Sequence, residues 1–201
     1  RAVHACWASL FEARAIFYRQ EHGYDHLKLG IAVPVQRMVQ SEASGVMFTL
    51  DPVTSNQMQI VIEAVLGLGE AIVSGEVTPD LYRVDKKDLR IIDKKLSKQE
   101  WKLMRNPWRG DGRAEANVKV EIPPGEQGRQ NISDKDILAL AQLGKQIENL
   151  YNFPQDIEWA IEGNKVFILQ TRPVTTIKPL EEGVDLPEIQ GEPILTGFAA
   201  S

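Results

Sequence analysis

The strongest constraint on this chain lies near its end, in the stretch Pro154-Gln155-Asp156-Ile157-Glu158-Trp159-Ala160-Ile161-Glu162-Gly163-Asn164-Lys165-Val166-Phe167-Ile168-Leu169-Gln170-Thr171-Arg172-Pro173. Two short β-type runs flank the turn formers Glu162-Gly163-Asn164, the pattern of a hairpin. Pairing Ile161 with Lys165 across a three-residue loop sets Glu158 opposite Ile168 and Asp156 opposite Gln170. Directly paired residues share a face of a sheet, as do alternate residues along one strand. Asp156, Glu158, Gln170 and Arg172 therefore gather on one face at the open end of the hairpin. A two-residue turn would send Glu158 and Gln170 to opposite faces, because a slip of one residue turns a strand over. Carboxylate and amide oxygens beside a guanidinium suit a hard metal ion that carries phosphates, since Mg²⁺ takes oxygen ligands and keeps phosphate oxygens in its shell. The plainer alternative for Asp156, Glu158 and Arg172 is a surface ion-pair cluster.

Such a hairpin needs a sheet to join, and 201 residues with 43% hydrophobic content can bury the core of one domain with an appendage. A net charge of −5 argues against nucleic acid or an anionic membrane as the main partner, so a phosphate site here has to be local. Cys6 is the only cysteine, which rules out an internal disulfide and a Cys-rich zinc site and fits a reducing, cytoplasmic setting. No apolar run approaches the ~20 residues that span a bilayer, and nothing resembles a signal peptide. Starting at Arg1 and entering at once into a helical pattern, the chain reads as part of a longer polypeptide.

Taken in order, Val3, Cys6, Trp7, Leu10, Ala13 and Phe17 recur at helical steps and predict one amphipathic helix from Ala2 to about His22, stopped by Gly23. Ile31 to Val39 reads as a strand in which Pro34 removes one ladder donor. Gly45 to Thr49 reads as a second strand, the antiparallel partner of the first. After the turn formers of 51–56 comes Ile60-Val61-Ile62-Glu63-Ala64-Val65, apolar but for one carboxylate. A charge within a buried strand is costly unless paired or metal-bound, which makes Glu63 a site candidate; a partly exposed strand position is the alternative. Gly67-Leu68-Gly69-Glu70 lets the backbone approach a ligand, but by itself it is usually only a turn. A meander follows, with strands near 81–84, 89–92, 100–104 and 118–122 and a loop over 105–117. Ser133 with Asp136 is a weak capping box before a clear helix with Ile137, Leu140, Ala141, Gly144, Ile147 and Tyr151 on one stripe. The chain loses periodicity after Pro173.

Together these motifs go beyond generic chemistry. Cys6 to Phe11 with Ala13-Arg14-Ala15, Val35 to Val39, Ser44 to Thr49 before Asp51-Pro52, Gly67 to Glu70 and the Asp156–Pro173 hairpin occur in this order. In this they closely resemble the phosphoenolpyruvate synthases (pyruvate, water dikinases); pyruvate phosphate dikinase and rifampicin phosphotransferase share the Gln-Thr-Arg ending. The resemblance covers about residues 1–176. It implies the C-terminal portion of an ATP-grasp nucleotide-binding domain, an α+β or α/β fold with a mostly antiparallel sheet packed by helices. Residues 177–201 would then be a linker and the start of a phosphohistidine domain.

In that family phosphate passes from ATP to a histidine on a separate domain and then to pyruvate. The resemblance implies ATP and Mg²⁺ as cofactors, with Glu158 and Gln170 on the metal and Arg172 facing the phosphate chain as the catalytic residue. Asp156 would support them, Gln36, Met38 and Val39 would border adenine on a hinge strand, and Glu63 and Glu70 would line the cleft. Its partners would be the phosphohistidine domain of the same chain and, through other domains, pyruvate; the full-length enzyme is open to homo-oligomerisation. Pro34 departs from the aliphatic residue usual in the hinge strand. A non-catalytic ATP-grasp binding module and an antibiotic phosphotransferase are the rival readings.

Overall fold

The protein is described here by a computed structural model covering residues 1–107 and 116–175. It divides into two compact units, Arg1–Met38 and the described part of Val39–Val184. The loop expected over 105–117 falls mostly on 108–115, outside the described residues, and so do the linker and following domain expected over 177–201. Among the described residues no helix is long and apolar enough to cross a membrane.

The first unit corrects the expected single helix. It holds α1 (Ala2–Ala8), a 3₁₀ turn (Ser9–Phe11) and α2 (Ala13–Glu21). The Ser9 hydroxyl donates to the Cys6 carbonyl at 2.7 Å, a local bond that competes with the helix ladder, and Glu12 is extended (φ −70°, ψ 148°) before α2 restarts. Gly23 (φ +69°) follows α2, in line with the expected stop. The predicted apolar stripe is not packed: Val3, Trp7 and Phe17 are exposed, whereas Arg19 is buried, its Nε donating to His26 Nδ1 at 3.2 Å.

The strand expected over Ile31–Val39 does not form, nor does its pairing with the following run. Pro34 offers no N–H. More decisively, β1 (Ala43–Phe48) already has both edges occupied, by β2 (Gln59–Leu66) on one side and β7 (Gln155–Glu162) on the other.

The second unit is built on a six-stranded antiparallel sheet. With β3 (Asp80–Asp85), β4 (Ile91–Lys95) and β8 (Lys165–Pro173), the strand order is β4-β3-β2-β1-β7-β8. A short helix α3 (Glu70–Val73) follows β2, and β5 (Trp101–Arg105) pairs with β6 (Asn117–Glu121) in a small sheet of their own. The long helix α4 (Asp134–Tyr151) begins where Ser133 Oγ accepts the Asp136 N–H and ends at Asn152 in the left-handed region (φ 52°). It lays Ile137, Leu140 and Ala141 against Met47, Ile60, Ile62, Tyr82, Ile157 and Trp159. Tyr151, placed on the same stripe by the sequence, is exposed at the helix end. Truncating Trp159, fully buried here, would cost about 3–5 kcal/mol. The fold is thus α+β, with a mostly antiparallel sheet covered by a helix on one face.

Candidate functional site

Strand alternation decides what the other face of the sheet carries. Residues facing α4 on β7 are Ile157, Trp159 and Ile161, so Asp156 and Glu158 point the other way. On β1 Val46 stands opposite both Glu63 of β2 and Glu158 of β7. Glu158 in turn stands opposite Gln170 of β8, and Asp156 opposite Arg172. Five candidates from three strands, Glu63, Asp156, Glu158, Gln170 and Arg172, therefore share the face away from α4. With strands ~4.8 Å apart, the backbones of Glu63 and Glu158 are ~10 Å apart across β1, room for an ion and a phosphate between their side chains.

The register that achieves this differs from the expected one. Glu162 pairs with Lys165, so the turn has two residues, Gly163 (φ 55°) and Asn164 (φ 62°), both in the left-handed region as a type I′ turn requires. Such a turn alone would set Glu158 against Leu169 and turn Gln170 away. Instead the register shifts between Glu158 and Trp159: Trp159 pairs with Ile168 and Glu158 with Gln170, leaving Leu169 as the extra residue of a β-bulge. The face shared by Glu158 and Gln170 is as expected, but the pairing behind it is not.

The open end of the hairpin is fixed by buried Gln155. Its N–H donates to Thr49 Oγ1 at 2.8 Å and its Oε1 accepts the Thr171 hydroxyl at 2.8 Å, tying β7 to the residue just after β1 and to β8. Next to this anchor Arg172 Nε and Nη2 both approach Asp156 Oδ2 at 2.8 Å. The Asp156 side chain is only 12% exposed and that of Arg172 55%, so the carboxylate is held while the guanidinium keeps a face to solvent. Half-buried Glu63 has its carboxyl pushed above the usual glutamate value, first by burial and then by the negative charge of Asp156. Three carboxylates against one guanidinium make this patch repel a polyphosphate unless a cation enters with it.

Residues 1–189 match the family described as the pyruvate phosphate dikinase AMP/ATP-binding domain. The chain belongs to this family. It is 45% identical over 99% of its length to the phosphoenolpyruvate synthase of Pyrococcus furiosus and 48% identical, also over 99%, to a probable phosphoenolpyruvate synthase of Archaeoglobus fulgidus. It is 42% identical over 91% of its length to the rifampicin phosphotransferase of Bacillus subtilis. The chain spans about a quarter of the first two relatives (25% and 26%) and 20% of the third.

Within this AMP/ATP-binding domain the donor set fits Mg²⁺ of one kind only. Among the described residues no group of three or more His, Cys, Asp or Glu is assembled to hold a metal by itself. Glu158 and Gln170, directly paired, offer two oxygen-bearing side chains with Cβ atoms ~5 Å apart, which suits an ion that arrives with phosphates and keeps waters in its shell.

The remaining candidates lie elsewhere. Glu70, exposed at the start of α3, accepts the Asn117 Nδ2–H at 2.7 Å rather than facing Glu158 across the sheet. Gln36 and Met38 belong to the first unit and Val39 to the second, all outside any strand. Sequence reasoning missed a second ion group on the open face. Asp51 is buried, and burial pushes its carboxyl up, but the N–H groups of Val53 and Thr54 and the Arg83 guanidinium outweigh that and hold it below the usual aspartate value. Arg83 also binds Asp93 at 3.0 Å. The signal was available: an Asp opening a turn directly after a strand is a residue expected to cap its own backbone.

Proposed function

We propose that this chain is the metal-side part of the ATP site of a phosphoenolpyruvate synthase. The full-length enzyme would convert ATP, pyruvate and water to phosphoenolpyruvate, AMP and phosphate through a phosphohistidine on another domain. The observation that carries this reading is the single face bearing Glu63, Asp156, Glu158, Gln170 and Arg172. Phosphoryl transfer is mostly positioning plus stabilisation of charge spread over oxygens, and that face supplies both.

In this reading Glu158 and Gln170 hold Mg²⁺, which would neutralise charge on the phosphate chain. Arg172 turns its solvent-facing side to the phosphates, and Asp156 positions Arg172. A half-exposed pair of this kind is worth only ~0–1 kcal/mol, so Arg172 can shift toward phosphate at little cost. Half-buried Glu63 completes the acidic wall, Glu70 stands at its end, and Gln36, Met38 and Val39 border adenine. Residues 1–176 belong to the nucleotide domain and 177–201 lead into the phosphohistidine domain, with which this chain exchanges phosphate in the cytoplasm. The segment alone is inactive, since phosphohistidine and pyruvate sites lie on other domains.

The test is pyruvate-dependent formation of AMP by the full-length protein, with Glu158→Ala as the site variant. Losing one charge-binding group from such a site costs about 10²–10³ in turnover. Turnover with rifampicin in place of pyruvate would establish the second reading, which the 42% identity to a rifampicin phosphotransferase keeps open. Unchanged Mg-ATP handling by Glu158→Ala would establish a non-catalytic module instead.

A further inference from the structure

We infer that Ser41 and Ser44 are positioning residues of the nucleotide site: both hydroxyls clamp the carbonyl of Gly67 and so fix the 67–70 loop over one end of the open face. The inference rests on the ATP-site reading above. Ser44 Oγ donates to Gly67 O at 2.7 Å and Ser41 Oγ reaches the same oxygen at 2.8 Å. A carbonyl oxygen has two lone pairs; the buried Ser44 hydroxyl occupies one, and buried Ser41 shares its single proton between the other and Ala43 O, 2.9 Å away. The Gly67 N–H is also committed, to Glu42 O at 2.8 Å, and the next N–H, of Leu68, donates to Leu103 O at 2.8 Å. Gly67 has φ +84°, and a Cβ there would lie 2.3 Å from Leu103 O, so no other residue fits this turn.

What the clamp holds in place is the turn that covers one end of the open face and leads into α3. Ser44 is on the face away from α4, opposite Val65 and Ala160, in the row next to the one carrying Glu63 and Glu158. It is nevertheless buried, because the loop runs over it: a Cβ on Gly69 would sit 3.4 Å from Ser44 Oγ. Immediately after Gly69 comes Glu70. Gly67 is therefore a pivot between Glu63 on the sheet and Glu70 at the start of α3, and the two serines set its angle. Neither serine needs to touch nucleotide.

Two donors on one oxygen predict redundancy. Either hydroxyl keeps the carbonyl bonded, so each single variant acts as the rescue of the double. In the full-length protein, Ser41→Ala and Ser44→Ala each raise the Mg-ATP Kd less than about 3-fold, while the double variant raises it about 10-fold or more, a non-additive loss. The KM for the second substrate does not change. A double variant that binds Mg-ATP within about 2-fold of wild type overturns the clamp, as does additive behaviour of the singles. Amide exchange gives a second readout: in the double variant it rises over 67–71 and stays unchanged over β1 and β7, while either single variant changes little. Faster exchange across the whole sheet, or none in the loop, also overturns the clamp. Wild-type protein that does not bind Mg-ATP overturns the ATP-site reading and the clamp with it.

Discussion

Gly45→Ala tests the link between packing and site most directly. Gly45 lies on β1 between Ala64 and Trp159, on the face that α4 covers. A Cβ at this position would be 1.8 Å from the Glu63 carbonyl oxygen, 2.9 Å from its carbon and 2.7 Å from Trp159 Cζ2. The nearest obstacle is backbone, so no rotamer change relieves it: β1 and β2 must separate. Overpacking of this kind costs ~1–3 kcal/mol, and a weakened ladder bond adds ~1 kcal/mol. Alanine's stiffer unfolded chain returns ~0.4–1 kcal/mol. The net loss is about 1–3.6 kcal/mol, or roughly 2–14 °C in the melting temperature of a domain this size. Because the residue pushed aside is Glu63, the proposed place of Glu63 in the nucleotide site predicts that nucleotide affinity falls as well. Scanning calorimetry with titration of Mg-ATP measures both. A shift below about 2 °C refutes the packing argument, and a large shift with unchanged affinity refutes the coupling to the site.

Gly144→Ala is the control for that reasoning. Its Cβ would meet Met47 Sδ and Cε at 2.9 Å, the far end of a flexible though buried side chain, and Thr49 Cγ2 at 3.4 Å, while the helix gains ~1 kcal/mol, so calorimetry should show a net change within about 1 kcal/mol. Deleting Leu169 removes the bulge yet leaves Gln170 opposite Glu158; we expect a loss of ~1–2 kcal/mol for the half-buried leucine and Mg-ATP affinity within about 3-fold, measured by urea denaturation and calorimetric titration. Folded protein that no longer binds would show that the bulge itself aims the site. Glu63→Gln should raise the melting temperature at neutral pH while weakening Mg-ATP binding. The raised carboxyl favours the protonated form in the fold, so its contribution is full below the unfolded glutamate value and lost as pH rises through the folded one. In melting curves against pH, the advantage of the glutamine variant should therefore disappear on acidification.

Much of the sheet was legible because period-two alternation is a local property. The strands around Val61, Tyr82 and Ile157 and the stripe of α4 all follow from the side chains they carry. Alternation failed where a strand needs a partner to exist. The run Ile31–Val39 has strand composition, but β1 has no free edge for it. The long first helix failed for a different reason: apolar spacing is blind to a serine that bonds back to Cys6 and to an extended Glu12.

The hairpin divides along the same line. Its sequence by itself determined that Asp156, Glu158, Gln170 and Arg172 are polar positions of two paired strands, and Gly163-Asn164 already carries the residues a two-residue turn requires. Only the tertiary structure decided that they share a face with Glu63. The turn sets one register, and the bulge at Leu169 resets it, keeping Ile168 on the α4 side and Gln170 on the other. A bulge is where strands compromise between turn geometry, sheet twist and the burial of two apolar faces, and that balance exists only once β1, β7 and β8 lie together under α4.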